Sequence, residues 1–524
     1  MLSIGGLFGK HVPNLPEMCR KKKGPVMKNQ VQLIAYVDRL SGGGFAELIS
    51  LIKGPLAGVF GGAHLLPFFS PIDGADAGFD PIDHTQVDQR LGTWEDVRIL
   101  GDTVDIIADL IVNHVSSSSP QFLDFSKKGP VSQYAGMFLT FDRVFPGGAR
   151  ESDLLGIYRP RPTLPFSPVT LISGERRMLW TTFNPEQVDI DVRHPQAEAY
   201  LDSILRTFQA AGIKMVRLDA VGYAIKKPGT SCFMIPETFE FISELTSKAR
   251  VRGIEVLVEI HSYYLKQIEV ARQVDWVYDF ALPPLVLHAL FNRDPHPLAR
   301  WLSVSPRNAV TVLDTHDGIG VIDVGADASG NPGLLSPAEI DNLVETIHQR
   351  SRGQSKQATG AAARNLDLYQ VNCTFLDALG RRGTDYLIAR ALQFFAPGIP
   401  QVYYVGLLGG TNDMELLART GIGRDINRPY YTDSEIEAAL RRPLVQKQIE
   451  LIRLRNTHPA FAGEFHVDVP TDSQIRMQWR LKEHWINLHA DLSVPSASIT
   501  GTGIEHWALS DVADHGLRSE EVLP

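Results

Sequence analysis

The sequence predicts a (β/α)8 barrel, and three observations point to it. Eight short β-rich runs recur with helical patterns between them, the count and alternation of a closed barrel of parallel strands. Several runs are almost continuously apolar, as strands covered on both faces must be. Charged and polar residues gather where the runs end, and in such a barrel the C-terminal strand ends are where chemistry is carried out.

In order, the runs are Val31–Val37, Val59–Phe68, Val104–Val112, Lys214–Val221, Glu255–Ile260, Val274–Phe280, Ala309–Leu313 and Gln401–Val405. Residues 1–26 precede them, with Gly5-Gly6, a short apolar stretch and then the basic run Arg20-Lys21-Lys22-Lys23. A signal peptide carries its charge ahead of its apolar region, and here the order is reversed. The segment reads as a flexible extension, with Met18 and Met27 as alternative starts. The first part of the barrel is expected over 27–112. The interval from Val112 to Lys214 is far longer than one helix and loop need. It contains Pro146-Gly147-Gly148 and Arg159-Pro160-Arg161-Pro162, so a loop-rich inserted domain is expected over 113–193. The barrel continues over 194–317, and a second insertion is expected over 318–380. The barrel ends over 381–460. After Pro459, short alternating runs (Gln474–Arg480, Trp485–His489) indicate a small β domain over 461–524.

A chain of 524 residues is too long for one minimal core and suits a large barrel with additions. Apolar residues make up 44% and charged residues 21%, a globular composition. The net charge of −9 repels nucleic-acid backbones and anionic lipid, so neither is expected as a partner. Cys19, Cys232 and Cys373 have neither a disulfide framework nor metal-ligand spacing, which suits a reducing, cytoplasmic setting. No apolar run approaches the roughly 18 residues that a membrane helix needs.

The third run ends Asp109-Leu110-Ile111-Val112-Asn113-His114, the fourth Arg217-Leu218-Asp219, the fifth Glu259-Ile260-His261, and the seventh is followed by Asp314-Thr315-His316-Asp317. A charge at a buried strand is expensive unless paired. One such end reads equally well as a structural ion pair, whereas four on one rim point to a site. Asp219, Glu259 and Asp317 are the equipment of glycoside chemistry: a nucleophile, an acid for the leaving oxygen, and a carboxylate to hold the sugar. Residue types alone do not assign those roles. Phosphoryl transfer is disfavoured because Ser41-Gly42-Gly43-Gly44 lacks the GK[ST] ending of a phosphate loop. A metal hydrolase is disfavoured because the histidines lack an HExxH grouping.

These four strand ends resemble the signature regions of the α-amylase superfamily (glycoside hydrolase family 13), and the likeness covers roughly Met27 to Phe461. Further stretches resemble its sucrose phosphorylase subgroup: Gly74–His84, Ile157–Pro162, Asn365–Gln370 and Gly423–Arg428. The resemblance implies Asp219 as nucleophile, Glu259 as general acid/base and Asp317 as stabiliser of the oxocarbenium-like transition state. Arg217 would keep the nucleophile ionised through charge-assisted bonding. His114, His316, Asp76 and Arg424 would hydrogen-bond glucose, Phe79 would give it an apolar wall, and Phe183, Gln187 and His261 would line the sugar sites. In calcium-binding members the Asn113 region supplies a metal ligand; the subgroup generally lacks that ion, so neither metal nor cofactor is expected.

The implied reaction is sucrose plus inorganic phosphate going to α-glucose 1-phosphate and fructose. Phosphate must intercept a covalent intermediate in preference to water, which needs a local anion site. Arg161 can offer it a fork and Tyr158 a hydroxyl. Asp367 and Gln370 resemble fructose contacts, Leu368-Tyr369 the side facing phosphate, on a mobile loop hinged at Gly353–Ala363. By composition alone the Arg159/Arg161 stretch reads as a solvated surface loop. Alternatives are phosphorylases of sucrose 6′-phosphate, glucosylglycerol or glucosylglycerate, a hydrolase or transglucosidase, and a catalytically dead sugar-binding relative. The expected oligomeric state is a monomer or homodimer. Tyr403-Tyr404 read as packing residues, and Arg441, Arg442 and Lys447 as a solvated helix face.

Overall fold

In the computed structural model, the described residues are 27–74, 76–160, 163–327, 329–359 and 370–509. The extension 1–26, Arg161, and Asp367, Leu368 and Tyr369 of the acceptor-side loop lie outside them.

Among the described residues, eight parallel strands close a barrel. They are β1 (Gln32–Ala35), β2 (Gly62–Leu65), β3 (Asp105–Ile111), β4 (Met215–Asp219), β5 (Glu255–Val258), β6 (Trp276–Asp279), β7 (Ala309–Thr311) and β8 (Ile399–Tyr403). Each strand pairs with its neighbours in chain order, and β1 closes on β8 with Gln32 opposite Gln401. Seven of the strands fall inside the runs read from sequence. The eighth starts two residues earlier than Gln401, because Pro400 continues the strand beside Thr311. In β3 and β4, Arg217 stands opposite Asp109, a register that joins the two strands by charge as well as by backbone.

The surrounding helices form for ordinary reasons. In α1 (Pro195–Ala210), His194 caps the amide of Gln196 and Pro195 opens the first turn. Its buried Ala197, Leu201, Ile204, Leu205 and Phe208 lie on one stripe that packs inward. In α2 (Pro337–Arg350), Ser336 and Glu339 make a reciprocal capping box.

Between β3 and β4 the chain leaves the barrel through two antiparallel pairs. His114–Ser116 pairs with Gln187–Asp189, and Phe166–Thr170 with Arg176–Trp180. This excursion has its own apolar cluster of Leu139, Val144, Phe145, Ile157 and Trp180, onto which Cys232 packs from the loop after β4. Of the stretch expected to be a hinge, Gly353–Ala363, the part over Gln354–Thr359 is helical with Ser355 and Ala358 buried, and residues 360–363 lie outside the described residues. Five antiparallel strands follow the barrel: β9 (Glu464–Thr471), β10 (Gln474–Leu481), β11 (His484–Asp491), β12 (Ser496–Gly501) and β13 (Ile504–Leu509). Among the described residues, no helix is long and apolar enough to cross a membrane.

Candidate active site

The barrel floor is polar. Gln401 bonds Gln32 at 2.7 Å, Tyr278 donates to Gln401 at 3.0 Å, and His64 lies between Tyr278 (3.1 Å) and Asp109 (3.2 Å). Asp109 is fully buried, yet Arg217 and His64 overcome the cost of burial and hold its carboxyl well below the usual range.

Arg217 is the hub of the site. Its guanidinium meets Asp109 at 2.5 Å, Asp219 at 3.1 Å and Glu259 at 2.7 Å, so the carboxylates ending β4 and following β5 hang on neighbouring nitrogens of one side chain. Arg217 favours the ionised form of Asp219, but burial and the other carboxylates act against it. One cation is shared among three carboxylates, and burial, with the charges of Glu259, Asp109 and Asp317, pushes the Asp219 carboxyl well up. The backbone turns sharply at the next residue: Ala220 adopts φ 53°, a left-handed conformation costing roughly 1–2 kcal/mol.

On the opposite side, Asp317 is gripped by Arg424 at 2.8 Å, with Arg428 at 3.7 Å. Against the cost of burial, Arg424, His316 and Arg428 keep its carboxyl far below the usual range. Arg428 also reaches Asp76 at 3.8 Å and donates to the His316 carbonyl at 2.8 Å, tying three pocket residues together. Burial lowers the pKa of both His114 and His316, which leaves them neutral near pH 7.

These groups open into one pocket whose wall includes Asp76, Phe79, His114, Phe183, Gln187, Asp219, Glu259, His261, His316, Asp317 and Arg424. Phe79 stacks on His316 at 4.8 Å, and Phe183 meets the edge of His114. Three candidates stand one layer back. Arg217 lies beneath the floor rather than on the wall, Tyr158 stacks behind Phe233 at 4.4 Å, and Gln370 bonds His261 at 3.3 Å. The reading from sequence missed Tyr223 and Phe233, which form an aromatic wall at 4.7 Å separation. Their close approach uses Gly222, where a β-carbon would sit 2.6 Å from the Phe233 ring. The turn that carries Phe233 back over the pocket has positive φ at both Cys232 and Met234, a conformation that their residue types do not announce.

Glu259, His261 and Asp317 offer ligand atoms within 4.8 Å of one another, but each already has a strong partner: Arg217, Asp323 and Arg424 respectively. Nor do the residues around Asn113 fit a calcium ion, because its Oδ1 accepts at 2.7 Å from Lys226, whose ammonium fills that place. The rest is a slot for a neutral polyol: apolar faces, neutral imidazoles, and carboxylates on two sides of the space where a ring would lie.

The α-amylase catalytic-domain family matches residues 59–269. A sucrose phosphorylase of Agrobacterium vitis is 63% identical over 92% of this chain and 99% of its own length. A sucrose phosphorylase of Bifidobacterium adolescentis is 54% identical over 87% of this chain and 90% of its own. The crystal structure of a sucrose 6F-phosphate phosphorylase from Thermoanaerobacter thermosaccharolyticum superposes with a TM-score of 0.85 at 38% identity, covering 93% of this chain and 99% of that one.

Proposed function

The chain belongs to the sucrose phosphorylase family, built on the α-amylase catalytic domain, and from that premise we propose that it catalyses the reversible phosphorolysis of sucrose. The products are α-D-glucose 1-phosphate and D-fructose, formed with net retention through a glucosyl-enzyme. The observation that carries this reading is the suspension of Asp219 and Glu259 from one guanidinium, facing Asp317 across a sugar-sized slot.

In the first half-reaction the Asp219 carboxylate attacks the anomeric carbon, while Glu259 in its acid form gives its proton to the departing fructosyl oxygen. Asp317, held ionised by Arg424, grips sugar hydroxyls and favours the positive charge that develops on the ring. Phe79, stacked on His316, backs the ring's apolar face. In the second half-reaction a phosphate oxygen attacks the same carbon from the side that fructose left, the bond to Asp219 breaks, and Glu259 recovers a proton. Arg161 and Tyr158 are the proposed phosphate contacts, and Asp367, Leu368, Tyr369 and Gln370 the proposed acceptor-side loop. His261, stacked on Phe280 at 3.9 Å and bonded to Gln370, links β5 to that loop.

A second reading, in which the acceptor is fructose 6-phosphate, is favoured by the name of the structural neighbour. The two relatives named sucrose phosphorylase are markedly more similar in sequence, and they support free fructose. A panel assayed in reverse from glucose 1-phosphate tests the choice: fructose is expected to be the best acceptor among fructose, fructose 6-phosphate, glycerol and glycerate. A preference for any other member overturns it.

A further inference from the structure

Behind the pocket wall lies a buried carboxylate that the proposed mechanism does not use. Asp323 sits in the single helical turn Ile322–Val324 of the insertion after β7 and is fully buried. Its two oxygens clamp neighbouring residues of the loop after β5. Oδ1 accepts from the Ser262 amide at 3.0 Å, and Oδ2 meets His261 Nδ1 at 3.2 Å. A buried carboxylate is costly unless paired, and its ion-pair partner among the described residues is His261. The backbone leaves room for this contact. At Gly320 a β-carbon would lie 2.9 Å from Asp323 Oδ2 and 3.1 Å from His261 Nδ1, so a side chain there would part them.

The other edge of the ring faces the acceptor side. His261 Nε2 lies 3.3 Å from the Gln370 amide nitrogen, and Gln370 Oε1 accepts from the Gly318 amide at 3.2 Å. That second bond fixes which way the amide points: with its oxygen on Gly318, its NH2 is turned to His261. In the neutral imidazole Nε2 is therefore the acceptor, and Nδ1 carries the proton that it donates to Asp323. Phe280 stacks on the ring at 3.9 Å, and Gly320 pairs with Gln370 in a short antiparallel ladder, so ring and loop base share one frame. Burial works against a charge on the ring, but Asp323, Glu259 and Asp317 outweigh it and raise the His261 pKa.

We propose that Asp323 is a positioning residue for the acceptor side of the reaction, holding His261 in the Nδ1–H tautomer so that His261 in turn orients the amide of Gln370. The kinetic part rests on the sucrose phosphorolysis reading; the tautomer does not. The influence falls on the acceptor because His261 lines the slot and Gln370 belongs to the acceptor-side loop, whereas Asp76, His114 and Arg424 hang on other segments.

The test compares wild type with Asp323→Asn, which keeps the shape and the acceptor for Ser262 while turning an NH2 to His261 Nδ1. Nitrogen NMR of labelled histidine reads the ring without substrate, the His261 signals being assigned by their loss in His261→Gln. In the neutral ring, wild type should show a protonated Nδ1 and a bare Nε2. Asp323→Asn should move the proton to Nε2 and lower the His261 pKa. Sucrose and α-glucosyl fluoride are then compared as donors. In Asp323→Asn, kcat/KM for sucrose and for phosphate should fall about 10- to 100-fold, the range for residues that orient a site's ligands. The fluoride leaving group makes no use of the acceptor side, so its kcat/KM should stay near the wild-type value. If wild type itself did not turn over sucrose, the donor comparison would fall with that reading, and the spectra would still decide the tautomer. A proton on Nε2 in the neutral wild-type ring overturns the proposal without any variant. So does an unchanged tautomer in Asp323→Asn, an equal loss with both donors, wild-type kinetics, or failure of Asp323→Asn to fold.

Discussion

At the scale of single residues, the site works because the environments of its carboxylates differ. Asp317 is held by Arg424 at 2.8 Å with Arg428 nearby, whereas Asp219 shares Arg217 with Glu259 and Asp109. In the proposed mechanism Asp219 must be ionised to attack, and burial with its negative neighbours raises its pKa. Activity therefore falls as the pH drops through that raised value. The acid limb of kcat/KM should lie clearly above the ordinary carboxylate value of about 3.9; a limb at the ordinary value would contradict this electrostatic picture. Glu259→Gln separates the two half-reactions. Glutamine cannot protonate the fructosyl oxygen, so glucosylation by sucrose should fall by several orders of magnitude. An α-glucosyl fluoride needs little acid help and should still yield glucose 1-phosphate with phosphate. If the fluoride were as poor a substrate as sucrose, Glu259 would not be the acid/base.

At the scale of elements, strand ends carry the chemistry and turns carry the walls, and this division decided what could be read from sequence. Asp219, Glu259 and Asp317 were legible because a charge at the end of an apolar run is conspicuous. Tyr223, Phe233 and Lys226 were not, because they follow β4 in a turn that folds back over the pocket, a return that spacing does not encode. Strand β8 was read two residues late, at Gln401–Val405 rather than Ile399–Tyr403, and Pro400 stands in register beside Thr311. Arg442, read as solvated, donates to the Leu408 and Gly409 carbonyls at 3.2 and 3.1 Å and ties the last barrel helix to the rim after β8. Tyr403 and Tyr404 are buried packing residues, each donating to a backbone carbonyl. One buried acid yields an element-scale prediction. Asp279 ends β6, accepts from Trp301 and from the Leu282 amide, and is pushed up to about 7 by burial. A carboxyl with a raised folded-state pKa binds its proton more tightly folded than unfolded. Its contribution is full below the unfolded value of about 4 and is lost as pH rises through about 7. Wild type should therefore lose stability between about pH 4 and 7 relative to Asp279→Asn, by up to about 1.4 kcal/mol per pH unit. Parallel stability–pH curves would sink this prediction.

At the scale of the whole molecule, a net charge of −9 repels phosphate, so any preference for phosphate over water must come from local cations. The barrel strand ends, the loop after β2, the excursion after β3 and the segment after β8 all send side chains to the wall of the slot, so a ring lying in it is enclosed on several sides. Such enclosure protects a glucosyl-enzyme from water. The most direct measurement follows sucrose consumption by the purified enzyme with and without inorganic phosphate, while NMR reads the anomeric form of the product. The expected result is turnover that depends on phosphate and yields the α-anomer of glucose 1-phosphate. Sucrose loss at the same rate without phosphate, with free glucose as the dominant product, would contradict it.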